Sequence, residues 1–170
     1  RNPATRAVVE ERADLLPLRR LEQDRLGLSA SRNLALRETE GDALAVTDDD
    51  CVPSAGWVAA VVETLGRAPA IAGVTGPMLP CGPEAPGLAA VSSRTSGIRT
   101  SWQGRPAPWL VGTGANMAVR RDWLERVGGW DERLGVGTRA GAGEDLALVD
   151  RLLTAGAVLR YEPEAVVRHE

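Results

Sequence analysis

The feature that most constrains the fold is the stretch LAVTDDDCVP at residues 44–53, where an apolar run ends abruptly in three carboxylates. Residues 43–47 have the length and the apolar character of a buried strand. Asp48, Asp49 and Asp50 repel one another and are poor neighbours for an apolar core. The cluster therefore needs a place outside the core and a cation that offsets its charge.

The remaining hydrophobic pattern alternates short apolar strands with amphipathic helices. Such alternation is typical of an α/β domain with an open, largely parallel sheet and flanking helices. Strands are predicted at residues 15–21 (a strand or an edge segment), 43–47, 70–75, 115–119, 157–161 and 165–169, and helices at 29–41, 56–66, 120–129 and 144–156. Because ligands bind beyond the carboxyl ends of such strands, the aspartates lie where a ligand is expected.

Local signals predict the ends and faces of the helices. Ser29 is an N-cap residue and Gly41 a stop signal for the first predicted helix. The apolar face expected for the second predicted helix consists of Val58, Val61, Val62 and Leu65. Residues 76–113 are dense in Pro and Gly and polar residues, and we expect a long excursion that is functional or mobile.

The composition restricts the classes of function. A length of 170 residues suits a single domain, and a net charge of −3 without a basic stripe argues against a nucleic-acid partner. No apolar stretch has the length needed to span a bilayer. Cys51 and Cys81 fit small buried residues better than a disulfide framework, so a reducing, cytoplasmic location is expected.

Asp48 and Asp50 are the first candidates for metal binding. At a strand end, residues two apart point to the same side, and paired carboxylates suit Mg²⁺ or Mn²⁺ shared with phosphate oxygens. The alternative is a solvated acidic turn in which an aspartate caps a helix. His169, the only histidine, ends the last predicted strand. Imidazole is a common ligand for Mn²⁺-like metals, but a lone histidine is usually an ordinary surface or core residue.

Glu144 and Asp145 start the last predicted helix, after a Gly-rich loop. Acidic residues in a first helical turn offset the helix dipole, which taken alone explains both. A carboxylate there that faces a pocket can instead act as a general base. Gly112, Gly114 and Asn116 precede a strand, where small residues either let a ligand approach the backbone or form a simple turn.

Trp130 and Asp131 lie in the segment GGWDE. An aromatic ring with a polar neighbour is a common way to bind a sugar. The pair fits a core tryptophan followed by a helix-capping aspartate equally well. The residues alone leave both interpretations open.

Taken in order, the segments GLSASRNLAL, LAVTDDDCVPSAGWV, GTGANMAVRRDWLERVGGWDERL, GAGEDLALVDRLLTAG and YEPEAVVRH resemble a family 2 glycosyltransferase with the GT-A fold. The resemblance covers roughly residues 26–66 and 111–169, and the motifs are strong in this order although each is weak alone. It implies metal-dependent, inverting transfer of a sugar from a nucleotide-diphosphate donor to an acceptor hydroxyl.

The resemblance also implies roles for the acidic residues. Asp48 and Asp50 match the aspartates that hold Mn²⁺ or Mg²⁺ on the donor diphosphate. His169 matches a histidine that completes the metal site in some members of the family. Asp145 matches the general base, and Glu144 precedes it.

The remaining implied contacts are to the two substrates. Those to the donor are Arg32 (next to Asn33) and Asp49, and that to the acceptor is Trp130. The residue types alone add Gly114 and Asn116 as expected donor contacts and Asp131 as an expected acceptor contact. The expected partners are a nucleotide-diphosphate sugar and a glycan, lipid-linked or small-molecule acceptor. The parent protein is expected in the cytoplasm or peripherally bound at the inner face of the membrane.

The resemblance has one departure and leaves two alternatives. Family members usually begin with a strand–helix–strand unit that binds the nucleotide, so residues 1–170 are expected to be a single GT-A domain that is incomplete at its N-terminus. LAVTDDDCV also fits a phosphohydrolase of the haloacid-dehalogenase type, with Asp48 as nucleophile and Asp50 as acid/base. That chemistry usually employs a lysine, and this chain has none. The other alternative is a non-catalytic sugar-binding remnant.

Overall fold

The computed structural model describes residues 3–82 and 94–170. Its helices are α1 (Pro3–Arg12), α2 (Leu28–Glu38), α3 (Trp57–Arg67), α4 (Arg121–Arg126) and α5 (Glu144–Thr154), with a 3₁₀ turn at Pro108–Leu110. Its strands are β1 (Ala43–Val46), β2 (Cys51–Pro53), β3 (Ile71–Thr75), β4 (Met78–Pro80), β5 (Thr100–Trp102), β6 (Met117–Arg120), β7 (Val158–Tyr161) and β8 (Val167–His169). Within these ranges, every helix is too short or too polar to cross a bilayer.

The strands form two sheets, one of five strands in the order β1-β6-β3-β7-β5 and one of three in the order β2-β8-β4. The open sheet with flanking helices agrees with the predicted fold class. The pairing is not largely parallel, however, because β1–β6, β3–β6 and β5–β7 are antiparallel and only β3–β7 in the large sheet is parallel. β6 follows residues 103–116, which hold only a short 3₁₀ turn and reverse the chain, whereas parallel neighbours need a crossover such as a helix.

The register of β6 determines where the functional edge of the large sheet lies. Val46, the last residue of β1, pairs with Met117, and so does Thr75, the last residue of β3. β6 therefore begins where both of its neighbours end. The chain that precedes β6 and the chain that follows β1 emerge at the same edge, which brings residues 111–116 beside residues 48–50.

The small sheet brings the end of β8 to this edge. β8 lies between β2 and β4, and His169 is paired with both Cys51 and Pro80. The backbone of Glu170 donates to the carbonyl oxygen of Asp50 at 3.0 Å. These pairings place the imidazole of His169 next to the aspartate cluster.

Helices pack on both faces of the large sheet, as the α/β prediction requires. The buried side chains are Leu148, Val149, Leu152 and Leu153 of α5 in one core cluster, and Trp57, Ala60, Val61 and Leu65 of α3 in the other. Along β6, Met117 and Val119 belong to the first cluster and Ala118 to the second. This alternation is the period of two expected of a strand that is buried on both faces.

The caps predicted for α2 are wrong. The N-cap residue is Gly27, and the hydroxyl of Ser29 donates to the carbonyl oxygen of Leu134 at 2.9 Å, so that it ties the helix to a loop. The helix ends at Glu38, before the predicted stop at Gly41. Ser29 is fully buried, and in that position a tertiary hydrogen bond replaces the local cap.

The predicted apolar face of α3 is half right. Val61 and Leu65 are buried, whereas Val58 and Val62 are 62% and 63% exposed. The rotation of the helix follows from Trp57, whose indole is buried in the same core cluster. Because residues four apart share a helix face, the buried face runs through Trp57, Val61 and Leu65, and the other two valines turn outward.

Two stretches between the main elements differ from the prediction. Residues 15–21 form no strand, and Leu15, Leu16 and Leu18 are exposed, so a strand there would bury little of its apolar surface. The excursion at 76–113 contains β4, β5 and the 3₁₀ turn, which were not predicted because each spans three residues. Residues 83–93 of this excursion lie outside the described residues.

Asn116 connects the two sheets beneath the functional edge. Its side-chain nitrogen donates to the carbonyl oxygens of Pro77 (2.9 Å) and Ala165 (2.7 Å). Its side-chain oxygen accepts from the indole nitrogen of Trp57 at 2.8 Å. With 1% of its surface exposed, Asn116 is bound internally and does not reach the cleft surface. The structure therefore gives the predicted donor contact of Asn116 no geometric support.

Replacing Asn116 by alanine should lower the free energy of unfolding by about 3 kcal/mol or more, because three buried partners lose their hydrogen bonds at about 1–3 kcal/mol each. Urea unfolding followed by tryptophan fluorescence measures the loss. The control is Thr100→Ala, which removes an exposed hydroxyl hydrogen bond and should change stability by less than about 0.5 kcal/mol. Equal losses of stability in the two variants would contradict the role of Asn116 in connecting the two sheets.

Candidate active site

A cleft of about 180 Å³ opens at the edge where β1 and β3 end and β6 begins. Its lining residues are Arg32, Asp48, Met78, Thr113, Gly114, Ala115, Glu144, Asp145 and His169. Six of these nine were predicted as site residues, and they come from segments that are far apart in the chain: Arg32, Asp48, Gly114, Glu144, Asp145 and His169. The convergence of strand ends and of the α5 N-terminus brings them together.

Arg32 lies at the centre of the polar contacts on the buried side of this cleft. Its Nη2 donates to Asp48 Oδ1 at 2.8 Å and to the carbonyl oxygen of Gly114 at 3.3 Å. Its Nη1 lies 3.5 Å from Glu144 Oε1. Arg32 and Glu144 are only 5% and 8% exposed, so this is a buried cluster of unlike charges. Arg32 offsets the cost of burying Glu144 and of partly burying Asp48.

Asp145 is held in place at the first turn of α5. Its Oδ2 accepts a hydrogen bond from the backbone N–H of Gly114 at 3.0 Å, and its Oδ1 accepts from the N–H of Leu146 at 2.8 Å. The carboxylate lines the cleft. A helix-start carboxylate that also faces a pocket meets the geometric condition for a general base, in addition to offsetting the helix dipole.

A second group of potential ligands stands at the rim. Asp50 Oδ2 lies 3.2 Å from His169 Nε2. Among the described residues, one oxygen of Asp50, one nitrogen of His169 and the sulfur of Cys51 form a group of potential metal ligands within 4.8 Å of one another. Oxygen and imidazole nitrogen together suit Mn²⁺ better than Mg²⁺, which prefers oxygen ligands alone. The donor set thus fits a divalent cation of the Mn²⁺ type.

Cys51 was missed as a member of this group. Burial raises the pKa of its thiol, an effect that its backbone hydrogen bond at Asp48 only partly offsets. The thiol donates to Asp50 Oδ1 at 3.6 Å. The sequence held no sign that Cys51 lies close to His169, because that proximity arises from the pairing of the two residues across β2 and β8.

The three aspartates also line a larger hollow of about 620 Å³ on the outer side of β1. Its other lining residues are Leu26, Gly27, Leu28, Thr47, Val136 and Gly137. Asp48 is shared by this hollow and by the cleft, and Asp49 and Asp50 face the hollow. A ligand with an apolar part in the hollow could therefore extend past Asp48 into the cleft.

Three buried polar atoms of the cleft residues lack a hydrogen-bond partner: Arg32 Nη1, Thr113 Oγ1 and His169 Nδ1. Buried polar groups in folded proteins almost always find partners, and exceptions concentrate at functional sites. Thr113 was not predicted as a site residue. The available signal was a small polar residue between two glycines in the segment that precedes β6.

Trp130 and Asp131 are not arranged as a sugar-binding pair. Trp130 is 2% exposed, belongs to the core, and lies 6.0 Å beneath the guanidinium of Arg32. It therefore presents no stacking face, and its predicted acceptor contact is not supported. Asp131 pairs with Arg133 at 2.8 Å, and these hydrogen bonds hold the pKa of Asp131 well below its usual range. Its acceptor role stays a prediction.

The sequence comparisons identify relatives of this chain. The model for glycosyl transferase family 2 matches residues 2–128. The chain is 31% identical over 150 residues to the pre-mycofactocin glycosyltransferase of Mycobacterium tuberculosis, strains CDC 1551 and H37Rv. That match covers 85% of this chain and 30% of the relative, so the chain spans less than a third of the length of these curated relatives.

Solved structures share its fold. The mannosyltransferase PcManGT from Pyrobaculum calidifontis, in complex with GDP-Man and Mn²⁺, superposes with a TM-score of 0.67 at 20% identity, over 99% of this chain and 44% of that one. GalNAc-T7 with UDP, GalNAc and Mn²⁺ gives 0.66 at 16% identity, over 99% and 36%. S. aureus TarS 1–349 gives 0.65 at 16% identity, over 98% and 47%. The predicted GT-A fold is confirmed.

Gly114→Ala should disturb the cleft directly. A Cβ at this position would lie 2.8 Å from Arg32 Nη1 and 3.1 Å from Asp145 Cβ, so a buried guanidinium or the first turn of α5 must shift. We expect a loss of about 1–3 kcal/mol in the free energy of unfolding, measured in urea. The matched control is Gly66→Ala in α3, where nothing lies within 4 Å and stability should rise by about 0.5–1 kcal/mol. A gain of stability in both variants would show that a Cβ at position 114 is not crowded.

Proposed function

Because this chain belongs to glycosyl transferase family 2, we propose that the protein transfers a sugar from a nucleotide-diphosphate donor to an acceptor hydroxyl, with a divalent cation and with inversion. The observation that carries the proposal is the placement of two functional groups at one sheet edge. The Asp50–His169 pair suits a cation, and Asp145 stands in the adjoining cleft as a candidate base. Family membership also removes the ground for the phosphohydrolase alternative.

The group of Asp50, Cys51 and His169 at the rim of the cleft supports the metal dependence. Asp50 and His169 would hold the cation, with Cys51 at its side, and Asp48 would face the same ligand from the boundary between cleft and hollow. When bound, the cation supplies positive charge that offsets the negative charge growing on the departing nucleotide diphosphate. The Mn²⁺ in the PcManGT and GalNAc-T7 complexes is consistent with this assignment.

The position of Asp145 in the cleft supports its assignment as the general base. In the proposed reaction it accepts the proton of the acceptor hydroxyl as that oxygen attacks the anomeric carbon. The N–H of Gly114 orients its carboxylate from one side, and the N–H of Leu146 does so from the other. Direct displacement by the acceptor inverts the anomeric centre and needs no covalent intermediate on the protein. Glu144 precedes the base in the chain, but its carboxylate is paired with Arg32 on the buried side of the cleft.

The large hollow next to Asp48 suggests where the nucleotide lies. It combines apolar side chains with the aspartates, which suits a base and a ribose on the way to the diphosphate. GDP-Man and UDP are the ligands of the neighbouring structures, and they support a nucleotide sugar as the donor here. The acceptor classes predicted from the sequence (glycan, lipid-linked or small molecule), the cytoplasmic location and the peripheral membrane contact stay predictions.

Asp50→Ala and His169→Ala should weaken Mn²⁺-dependent binding of UDP or GDP by at least about 10-fold, because each removes a proposed ligand. Isothermal titration of the full-length protein with Mn²⁺ and either nucleotide measures the change. The control is Asp150→Ala, which removes an equal charge from the exposed face of α5. Nucleotide affinity that is the same with EDTA as with Mn²⁺ would contradict the metal role.

Asp145→Asn should lower the rate of transfer by about 10²–10⁴-fold and leave donor affinity intact, because the amide oxygen can still accept from Gly114 but cannot take a proton. Turnover with a panel of nucleotide sugars, in the full-length protein, is the measurement. Asp122→Asn is the matched control, since Asp122 also starts a helix and accepts from the next backbone N–H, at 2.9 Å. Normal turnover in Asp145→Asn would contradict the base role and leave Asp145 only the role of offsetting the dipole of α5.

A further inference from the structure

We propose that Arg32 is a positioning residue that links the metal-side carboxylate of Asp48 to the base Asp145, rather than a donor contact. The inference rests on the glycosyl transfer proposed above and adds a role that neither the sequence nor the family match assigns. Its basis is a continuous set of hydrogen bonds across the buried side of the cleft. Arg32 donates to Asp48 and to the carbonyl of Gly114, and the N–H of Gly114 donates to Asp145.

The burial of Arg32 favours positioning over direct contact with a ligand. The side chain is 6% exposed, and Nη1 has less than 1 Å² of accessible surface. Nη2 is already used by Asp48 and Gly114. A donor molecule in the cleft would thus meet the carboxylates and the loop before it met the guanidinium. With so little of the side chain exposed, the structure does not support the predicted donor contact of Arg32.

The charges around the cleft require a cation at this place. Asp48, Glu144 and Asp145 line it, and Arg32 is the one arginine among its described lining residues. Nη2 lies 2.8 Å from Asp48 and Nη1 lies 3.5 Å from Glu144, so the two ends of the guanidinium lie beside one carboxylate that follows β1 and one at the start of α5. The planar guanidinium holds its donors in a fixed fork that can bridge two such groups, whereas the ammonium of lysine is a compact point charge on a flexible stem.

Gly114 is the joint between the two halves of the network. Its carbonyl accepts from Arg32 at 3.3 Å and its N–H donates to Asp145 at 3.0 Å. The peptide groups on either side of one residue thus carry the connection, and the close approach leaves no room for a Cβ. A shift of the guanidinium would therefore move the loop and change the orientation of the base. Misplacement by about 1 Å can lower a reaction rate about 100-fold.

The experiment compares three variants of the full-length protein: Arg32→Met, Arg32→Lys and the control Arg120→Met. Arg120 is half-buried and, like Arg32, bound to backbone carbonyl groups, with Nε donating to Ile71 at 2.8 Å and Nη2 to Leu65 at 2.6 Å, but it does not line the cleft. Both Arg32 variants should lose about 100-fold in kcat, with a smaller change in the KM for the donor. Arg120→Met should lose stability but keep kcat per folded molecule.

A second measurement needs no substrate. Amide hydrogen exchange at Gly114, followed by NMR in the ligand-free protein, should be faster in Arg32→Met than in wild type and unchanged in Arg120→Met. If no nucleotide sugar is turned over by the wild type, glycosyl transfer fails as the function, and exchange at Gly114 still decides whether Arg32 holds this loop.

Three results would overturn the inference. A raised donor KM with unchanged kcat in Arg32→Met would make Arg32 a donor contact. Equal losses of kcat in Arg32→Met and Arg120→Met would reduce Arg32 to a general stabiliser. Full activity in Arg32→Lys would show that charge alone, without the bridging fork, is sufficient.

Discussion

The site depends on one pairing constraint, the insertion of β6 between β1 and β3. Met117 is opposite the last residue of each neighbour, so the loop before β6 must run along the edge at which both neighbours end. A slip of one residue would turn Met117, which is 2% exposed, out of its core cluster. Hydrophobic packing on both faces of β6 therefore maintains the geometry of the cleft.

That edge collects negative charge, and the structure compensates for it locally. Arg32 accompanies Asp48 and Glu144, while backbone N–H groups of the loop and of α5 bind Asp145. The same device occurs far from the cleft. Burial raises the pKa of Glu162, but the hydrogen bonds and charge of Arg99, together with hydrogen bonds from the N–H of Glu164 and the hydroxyl of Thr64, outweigh it and hold that pKa below its ordinary value. In the cleft the compensation is incomplete, because Arg32 Nη1, Thr113 Oγ1 and His169 Nδ1 remain without hydrogen-bond partners.

Much of the arrangement could be predicted from the sequence. The strands before residues 48–50 and at residues 70–75, and the helix that starts at Glu144, are present within two residues of the prediction. The five ordered motifs led to the fold and the family, which the comparisons confirm. Roles assigned from side-chain chemistry alone fared less well. Asn116 and Trp130 were expected at the ligand surface, and both are almost fully buried. Polar and aromatic side chains can hydrogen-bond and pack inside the core as well as bind a ligand, so residue type does not distinguish these roles.

The sequence by itself determined that an apolar strand ends in three aspartates, that a helix starts with Glu144 and Asp145, and that a histidine ends the last strand. These are local properties, since periodicity and end signals depend on neighbours along the chain. Only the tertiary structure decided that His169 lies near Asp50 and Cys51, and that Asp48 is instead paired with Arg32. Those partners are separated by up to 119 positions in the chain, as for Asp50 and His169. Strand register and helix rotation set their distances, and both follow from packing the whole core.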